Sequence, residues 1–528
     1  MKRSLFACIA ALAFVSSAAA SPMVMPSRYS MQHHPVSTSS AQAQAAFDEG
    51  LTLLYAFNRL AARNAFARAA AADPKLAMAY WGIAESYGPD VNVPEDDASD
   101  KAASDAIAHA RTLLGHASEE EAAYISALAT RYSAAPHPDY QALGRAYEHA
   151  MSDLSHRYPD DLDAATFFAE SEMDLHPWAW FTPAGQAADG TNEIIATLES
   201  VLARDPMHIG ANHYYIHATE ESLRPDRALI AAARLSTFTL EPAAAHLVHM
   251  PAHTYMRTGF YDLAVMSNVH ATEHDRAYLK VQPDLEASAY YDHNLYFLTS
   301  AYDMEGAFAG ARAASARMAA EEHALVPEIF VLCRFAHWRD ILAMAPPVTA
   351  VDEPMRVAMW RYARGLALAA TGDLSGASRE RQILAELDRT TNVPPVVGWY
   401  NGSKQIESIA LDVLDAKLDS AHGRFTQAAA LLVHAVRTQD NLRYIEPPDW
   451  YYPVRQSLGA ALLRAGDLKG AERAFRDDLA RNPRNGWSLF GLEKALDAEG
   501  DATDAAWAHR AFVQAWRNAD TQPAIEDL

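Results

Sequence analysis

Residues 458–483 read LGAALLRAGDLKGAERAFRDDLARNP. Gly459, Gly466 and Ala471 are small, Phe475 is large, and Pro483 closes the stretch. Small side chains let two antiparallel helices approach closely. An aromatic ring fills the groove between them, and a proline cannot continue a helix. The stretch therefore reads as a helix, a turn at Gly466 and a second helix stopped at Pro483. Near the other end, Gly50, Ala62, Phe66 and Pro74 repeat the intervals of Gly459, Ala471, Phe475 and Pro483: twelve, then four, then eight residues. Recurrence at fixed spacing is the mark of stacked repeats, each too small to bury its apolar face alone.

Further copies fill the space between. Tyr362 to Ala377 carries Gly365 and Gly372, Leu418 to Val436 carries Gly423, and Trp487 to Trp516 carries Gly500 and Ala505. Weaker copies end at Pro159 and Pro206. Alanine dominates a chain that is 50% apolar, and alanine is the best helix former. The pattern resembles the tetratricopeptide-repeat (TPR) family over most of residues 43–516. More narrowly, it resembles large secreted bacterial members with an AYWGIAESYG segment (here Ala79 to Gly88), an HYYIHA…HLVHMPAH centre and an EPPDWYYPVR segment (Glu446 to Arg455). The resemblance implies an all-α, TPR-like solenoid or superhelix of antiparallel helix pairs, with the first helix of each pair lining a concave surface. The expected organisation is a signal peptide at 1–20, a flexible leader at 21–42, an array at 43–345 with a His-rich centre, and a second array at 346–528. Two stretches interrupt the pattern: 174–192, with three aromatics, and 389–405.

The chain begins MKRSLFACIAALAFVSSAAASP. A basic start, a short apolar run and small residues before Ser21 predict a secretory signal cleaved after Ala20. The mature protein is expected to be exported, periplasmic or extracellular, without integral membrane association. Net charge is −23, which argues against nucleic acid as a partner. Cys8 leaves with the signal, so Cys333 has no partner for a disulfide and reads as a core residue. There is no HExxH, Walker, GxGxxG or GxSxG motif.

Six of the 22 histidines lie between Asp205 and Gly259: His208, His213, His217, His246, His249 and His253. His213/His217 and His249/His253 are both His-x-x-x-His pairs, which place two imidazoles on one helix face. Pro206 and Pro242 precede the pairs by the same seven residues. The family register implies that His213, His217 and Glu220 on one helix, His246, His249 and His253 on the next, and His293 after them face the groove. It puts Glu85 and Glu170 on the same row upstream. Neighbouring helices are about 8–10 Å apart, so the four paired imidazoles are expected to converge on one ion. His208, His270 and His274 fall off this face.

Nitrogen ligation without thiolate suits zinc or copper foremost and iron after them, a paired-copper site with six histidines among the arrangements. The expected function is transition-metal binding in the groove, with metal-dependent hydrolysis, using Glu220 or Glu170 as base, or metal-dependent oxidation. Two readings compete: a buried hydrogen-bonded histidine network, and a non-catalytic TPR scaffold whose groove binds a peptide or protein partner. An enclosed pocket with the histidines at its base favours chemistry, and the HPWAWF stretch is then its lid.

Overall fold

The computed structural model describes residues 29–133, 135–321, 325–347, 354–390 and 401–528. The signal peptide expected at 1–20 and most of the 389–405 connection lie outside the described residues. The chain is all-α. Helices follow one another in antiparallel pairs, from Ala41–Leu54 with Arg59–Ala72 to Gly486–Glu499 with Ala502–Ala515. This is the TPR-like solenoid that the spacing predicts. Among the described residues, no helix is long and apolar enough to cross a membrane.

The repeated glycines have a steric cause. A Cβ at Gly50 or at Gly82 would stand 2.7 or 2.4 Å from the ring of Phe66. Gly459 and Gly491 face Phe475 in the same way, at 2.6 and 2.2 Å. Each phenylalanine thus sits between the first helix of its own pair and the first helix of the next, and only glycine leaves room on both sides. At the turn, Gly466 has φ +84, the left-handed conformation that ends a helix without a Cβ clash.

Buried apolar side chains form one cluster from Ala43 to Ala301 and another from Val326 to Ala474. The two regions touch. Trp487 Nε1–H donates to the Asp303 carbonyl at 2.9 Å, and Tyr261 O–H donates to the Pro483 carbonyl at 3.0 Å. Cys333 is buried, and burial pushes its thiol up, away from the reactive thiolate. Residues 29–40, read from composition as part of a flexible leader, are tied down. The Gln32 N–H donates to Thr52 Oγ1 at 2.8 Å, His34 Nδ1 lies 2.9 Å from Asp163 Oδ2, and the Ser37 N–H donates to Glu121 Oε1 at 2.6 Å. These partners are remote in sequence, so composition gives no hint of them.

Candidate metal centre

The helix Ile209–Glu220 is buried along its whole length. Its polar side chains therefore need partners inside the protein. His208, in the N-cap position, accepts from the Ala211 N–H and lies 3.1 Å from Asp163, away from the groove row. His270 is exposed and His274 turns back to the His270 carbonyl. The other six groove histidines come together, but not around one point.

They form two groups of three. His213, His217 and His246 bring ring nitrogens within 4.8 Å of one another, and so do His249, His253 and His293. Nε2 of His213 is 3.2 Å from Nε2 of His246, and Nε2 of His249 is 2.8 Å from that of His253 and 3.1 Å from that of His293. The expected convergence of the four paired imidazoles on a single ion is therefore replaced by two triads. The reason is the helix rise. His246 precedes His253 by seven residues, about 10 Å along the axis, so the two cannot share an ion although they share a face. His246 meets His213 and His217 on the preceding helix, while His249 and His253 meet His293 on the following one.

The far side of each ring fixes its proton. His213 Nδ1 lies 2.6 Å from the Tyr55 carbonyl, and His217 Nδ1 lies 2.7 Å from Glu220 Oε1. His253 Nδ1 is 2.5 Å from Glu220 Oε2, and His249 Nδ1 is 2.7 Å from Asn268 Oδ1. Asn268 Nδ2 donates to the Ala264 carbonyl at 2.9 Å, so its oxygen is the atom that faces His249. A carbonyl or carboxylate only accepts. All four rings therefore carry a proton on Nδ1 and, when neutral, present a bare Nε2 lone pair inward. His217 Nε2 is buried with no hydrogen-bond partner among the described residues. Burial, followed by the neighbouring imidazoles, pushes His213, His246 and His249 well below the usual histidine range and His293 down to about 3. His213, His246, His249 and His293 are thus held in the neutral form, the one in which imidazole can bind metal.

Glu220 joins the triads, one oxygen to each. Burial alone would raise its carboxyl, but His253 and His217 hold it down at about 2. Tyr444 O–H adds a contact to Oε2 at 3.2 Å. Both oxygens being engaged, Glu220 orients ligands and is not free as a base. Glu170 sits elsewhere, among Glu85, Asp174 and Arg131. Burial first, then Asp174 and Glu85, pushes its carboxyl far above the usual range. Glu85 itself pairs with Arg131 at 3.2 Å. Of the two acids expected as a base, Glu220 turns its oxygens to the Nδ1 atoms of His217 and His253, and Glu170 stands with Glu85, Asp174 and Arg131.

Two loops cover the centre. Trp178, from the HPWAWF stretch, packs edge-on to His217 with ring centroids 5.4 Å apart. Its φ is +57, a conformation that costs a non-glycine residue about 1–2 kcal/mol. Trp178 Nε1–H donates to Asn92 Oδ1, and Asn92 Nδ2 donates to Tyr290 O–H, each at 3.2 Å. The Tyr290 ring lies 4.6 Å from that of His246. From the second loop, residues 441–454 between the helices Phe425–Asp440 and Arg455–Ala465, Arg443 donates to the carbonyls of Pro177 and Trp178 at 2.7 and 3.3 Å. Five of the six histidines are buried; His293 is partly exposed, beside partly exposed Tyr290. Trp178 belongs to the HPWAWF stretch that sequence reading singled out as a cover, whereas Tyr55, Asn268, Tyr290 and Tyr444 were passed over and lie in no pattern that points to the centre.

No protein-family profile matches the chain, and no curated protein does. Among solved structures, the chain is similar to one in the crystal structure of the APC/C hetero-tetramer Cut9-Hcn1, at 10% identity over 78% of this chain and 82% of that one, with a TM-score of 0.32. It is similar to yeast Tom70 at 12% identity over 91% and 92% of the two chains, TM-score 0.31. For human IFIT1, in a dimer with m7Gppp-AAAA, the values are 11%, 84%, 90% and 0.29. These likenesses are weak, and the fold description rests on the helix pairs themselves.

Proposed function

We propose that the two histidine triads hold a pair of transition-metal ions, copper in the first place, and that the protein is a metal-dependent oxidase. The observation that carries this is the approach of His249 Nε2 to His253 Nε2 at 2.8 Å with both ring protons on the other side. Two lone pairs at that distance repel in the neutral rings. A cation between them turns the repulsion into ligation, since a tetrahedral metal about 2.0–2.1 Å from each of two nitrogens sets them about 3.3 Å apart, which asks the two rings to part by about half an ångström. The Nδ1–H bonds to carboxylate, amide and backbone oxygen are the support that metal-bound imidazoles ordinarily have.

Charge favours copper. Among the described residues, Glu220 is the carboxylate that bridges the triads. Two cuprous ions would bring half the charge of two zinc ions into so buried a place, an advantage of the reduced state alone, since the oxidised pair would carry the same four charges. The reaction class follows from what the residues do not offer. Hydrolysis needs a base beside the metal; Glu220 has both oxygens engaged and Glu170 lies elsewhere, while Glu446, buried near His253 and pushed up to about 7 by burial, is held by the Tyr444 hydroxyl at 3.0 Å. Copper held by His213, His217 and His246 and by His249, His253 and His293 would supply one-electron exchange at each ion, with dioxygen as the oxidant and an organic donor as the reductant. Export remains part of this reading, with processing after Ala20 checked by sequencing the mature N-terminus.

The test is elemental analysis of untagged mature protein beside the His213→Ala/His249→Ala double variant. Close to two copper ions per native chain, and none in a variant of unchanged helicity, supports the centre. Native protein that stays metal-free after incubation with copper, zinc and iron salts overturns it. Oxygen uptake by the reduced, copper-loaded protein separates an oxidase from a metal site without redox function.

A further inference from the structure

Tyr55 meets the metal centre at one end and an acid at the other. Its backbone carbonyl accepts from His213 Nδ1 at 2.6 Å, so one hydrogen bond and the residue's own Cα and Cβ join a metal-binding imidazole to the Tyr55 ring. At the far edge of that ring, the phenol O–H donates to Asp163 Oδ1 at 2.7 Å. The ring is fully buried. His208 lies 3.1 Å from the same carboxyl oxygen, and His34 Nδ1 lies 2.9 Å from the other. Together they keep Asp163 ionised against its own burial. His34 is partly exposed.

A buried tyrosine ordinarily finds a hydrogen-bond partner. Tyr55 differs in that its partner is an ionised acceptor while its backbone holds a metal ligand. A buried phenol that lost an electron and kept its proton would be a cation, which is costly in the interior. With Asp163 in place, the proton can leave along a bond that already exists. Burial, then Asp163, pushes the phenol well above its ordinary value, so the proton stays on oxygen until an electron is withdrawn. Other tyrosines near the centre are less suited. The Tyr214 ring lies 5.1 Å from that of His213, but its buried hydroxyl has no hydrogen-bond partner among the described residues. Tyr444 donates to Glu220, whose charge is already spent on His217 and His253.

We propose that Tyr55 is a redox-active tyrosine that exchanges single electrons with the histidine-bound metal. Its O–H bond breaks, one electron leaves for the oxidised metal centre, and the proton passes to Asp163 Oδ1. The products are a neutral tyrosyl radical and a neutral carboxylic acid. The electron's destination rests on the copper reading, with dioxygen as the terminal oxidant. In the return step a one-electron reductant at the surface supplies the electron, and Asp163 gives the proton back. Rings lead outward for it: Phe167 next to Tyr55, then Trp81, then Tyr124, at centroid spacings of 5.3, 5.4 and 5.5 Å. The Tyr124 ring reaches that of His34 at 5.6 Å. Electrons thereby reach a covered centre from a reductant that never enters it.

The test is electron paramagnetic resonance in two arms, on variants whose helicity is checked by circular dichroism. In the first, reduced copper-loaded protein is exposed to dioxygen without an organic donor and frozen. The native chain should show a tyrosyl radical that narrows when ring-deuterated tyrosine is incorporated. Tyr55→Phe, which keeps the ring and the carbonyl that holds His213, should lose it, and Asp163→Asn should form it roughly tenfold more slowly. The second arm needs no metal: a photogenerated ruthenium(III) tris-bipyridine complex oxidises the metal-free protein, and Tyr55→Phe should lack the longest-lived radical. A tyrosyl signal lost with Tyr55→Phe in either arm supports the proposal. Loss in the second arm alone, from protein that takes up no copper, supports the tyrosine and overturns the copper reading. No tyrosyl signal in either arm, equal signals in native and Tyr55→Phe in both, or formation at the native rate in folded Asp163→Asn overturns the proposal.

Discussion

His249 and His253 face each other through their Nε2 atoms at 2.8 Å, each with its Nδ1 proton given to a fixed oxygen, of Asn268 in one case and Glu220 in the other. A proton or a metal ion can relieve that opposition. If it is metal, the two triads should empty separately. His217→Ala should leave about one copper per chain, and His253→Ala about one as well, whereas their combination leaves none. Metal should also stabilise the fold, because the unfolded chain has no such site. At a hundredfold excess over Kd the gain is about 2.7 kcal/mol, read as a rise in Tm that both single variants reduce. An unchanged Tm with added copper would mean that a proton on His253 fills the gap and that the cluster is a hydrogen-bonded network.

Glu220 should matter to both ions without touching either. In Glu220→Gln one oxygen becomes an NH2 group, which donates where an Nδ1–H also donates. One of His217 and His253 must then turn its ring or its tautomer. Loss of such a supporting carboxylate costs roughly 10–100-fold in metal affinity, measurable by competition with a chelator. Tyr444→Phe removes only the phenol at 3.2 Å and keeps both imidazole contacts, so its affinity should stay close to native.

The array was readable because one steric event repeats. Phe66 and Phe475 each need a glycine on both neighbouring first helices, and that need writes a fixed interval into the sequence. The two His-x-x-x-His pairs were readable for the same kind of reason, since helix geometry ties residues four apart to one face. Grouping was not readable. Whether His246 joins His213 or His253 depends on helix rise and on where His293 stands, and face periodicity does not encode distance along the axis. The partners of Glu220 were not readable either, because register places a carboxylate on a face without saying which protons it receives. Asn268 and the Tyr55 carbonyl reach the centre from other helices, at 2.7 and 2.6 Å, through contacts that no local pattern records.

The loop over the centre should govern access, not loading. Arg443 holds the Pro177 and Trp178 carbonyls, and Trp178 covers the His217 ring. Arg443→Ala gives up two charge-assisted hydrogen bonds, together worth about 3 kcal/mol or more, and so raises the open population roughly a hundredfold or more. Copper content should be unchanged at saturation, while removal of copper by a chelator becomes faster by that factor. Trp178→Ala should act in the same direction. A variant that loses copper at equilibrium would show that the loop holds the ligands in place.

Packing between repeats can be tested at Gly82. A Cβ there would lie 2.4 Å from the ring of Phe66, and the ring is fully buried. Overpacking of this kind costs about 1–3 kcal/mol, so Gly82→Ala should lower the denaturation midpoint. At Gly115 a Cβ would meet nothing within 4 Å, and Gly115→Ala should be close to neutral. Equal effects at the two sites would mean that Phe66 moves aside easily.

His34 pins the residues before the first helix, and its contribution should depend on pH. Burial alone would push the ring down. The hydrogen bond and charge of Asp163, with Asp161 and Glu120 beyond it, raise it instead from 6.5 to about 9, while Asp163 is held well below the carboxylate range against its own burial by His208 and His34. In the unfolded chain the histidine titrates near 6.5. Between 6.5 and 9 the folded protein therefore holds a proton that the unfolded chain has released, and stability falls as pH rises. The contribution is fully present below 6.5, declines through the window and is gone above 9; at most it amounts to about 3 kcal/mol. His34→Gln keeps a polar contact to Asp163 but cannot titrate. Urea midpoints at pH 6 and pH 10 should differ more for the native chain than for His34→Gln, and the two proteins should be closest in stability at pH 10. Parallel curves for the two would mean that the pair holds residues 29–40 by packing and hydrogen bonding, with no charge on the ring.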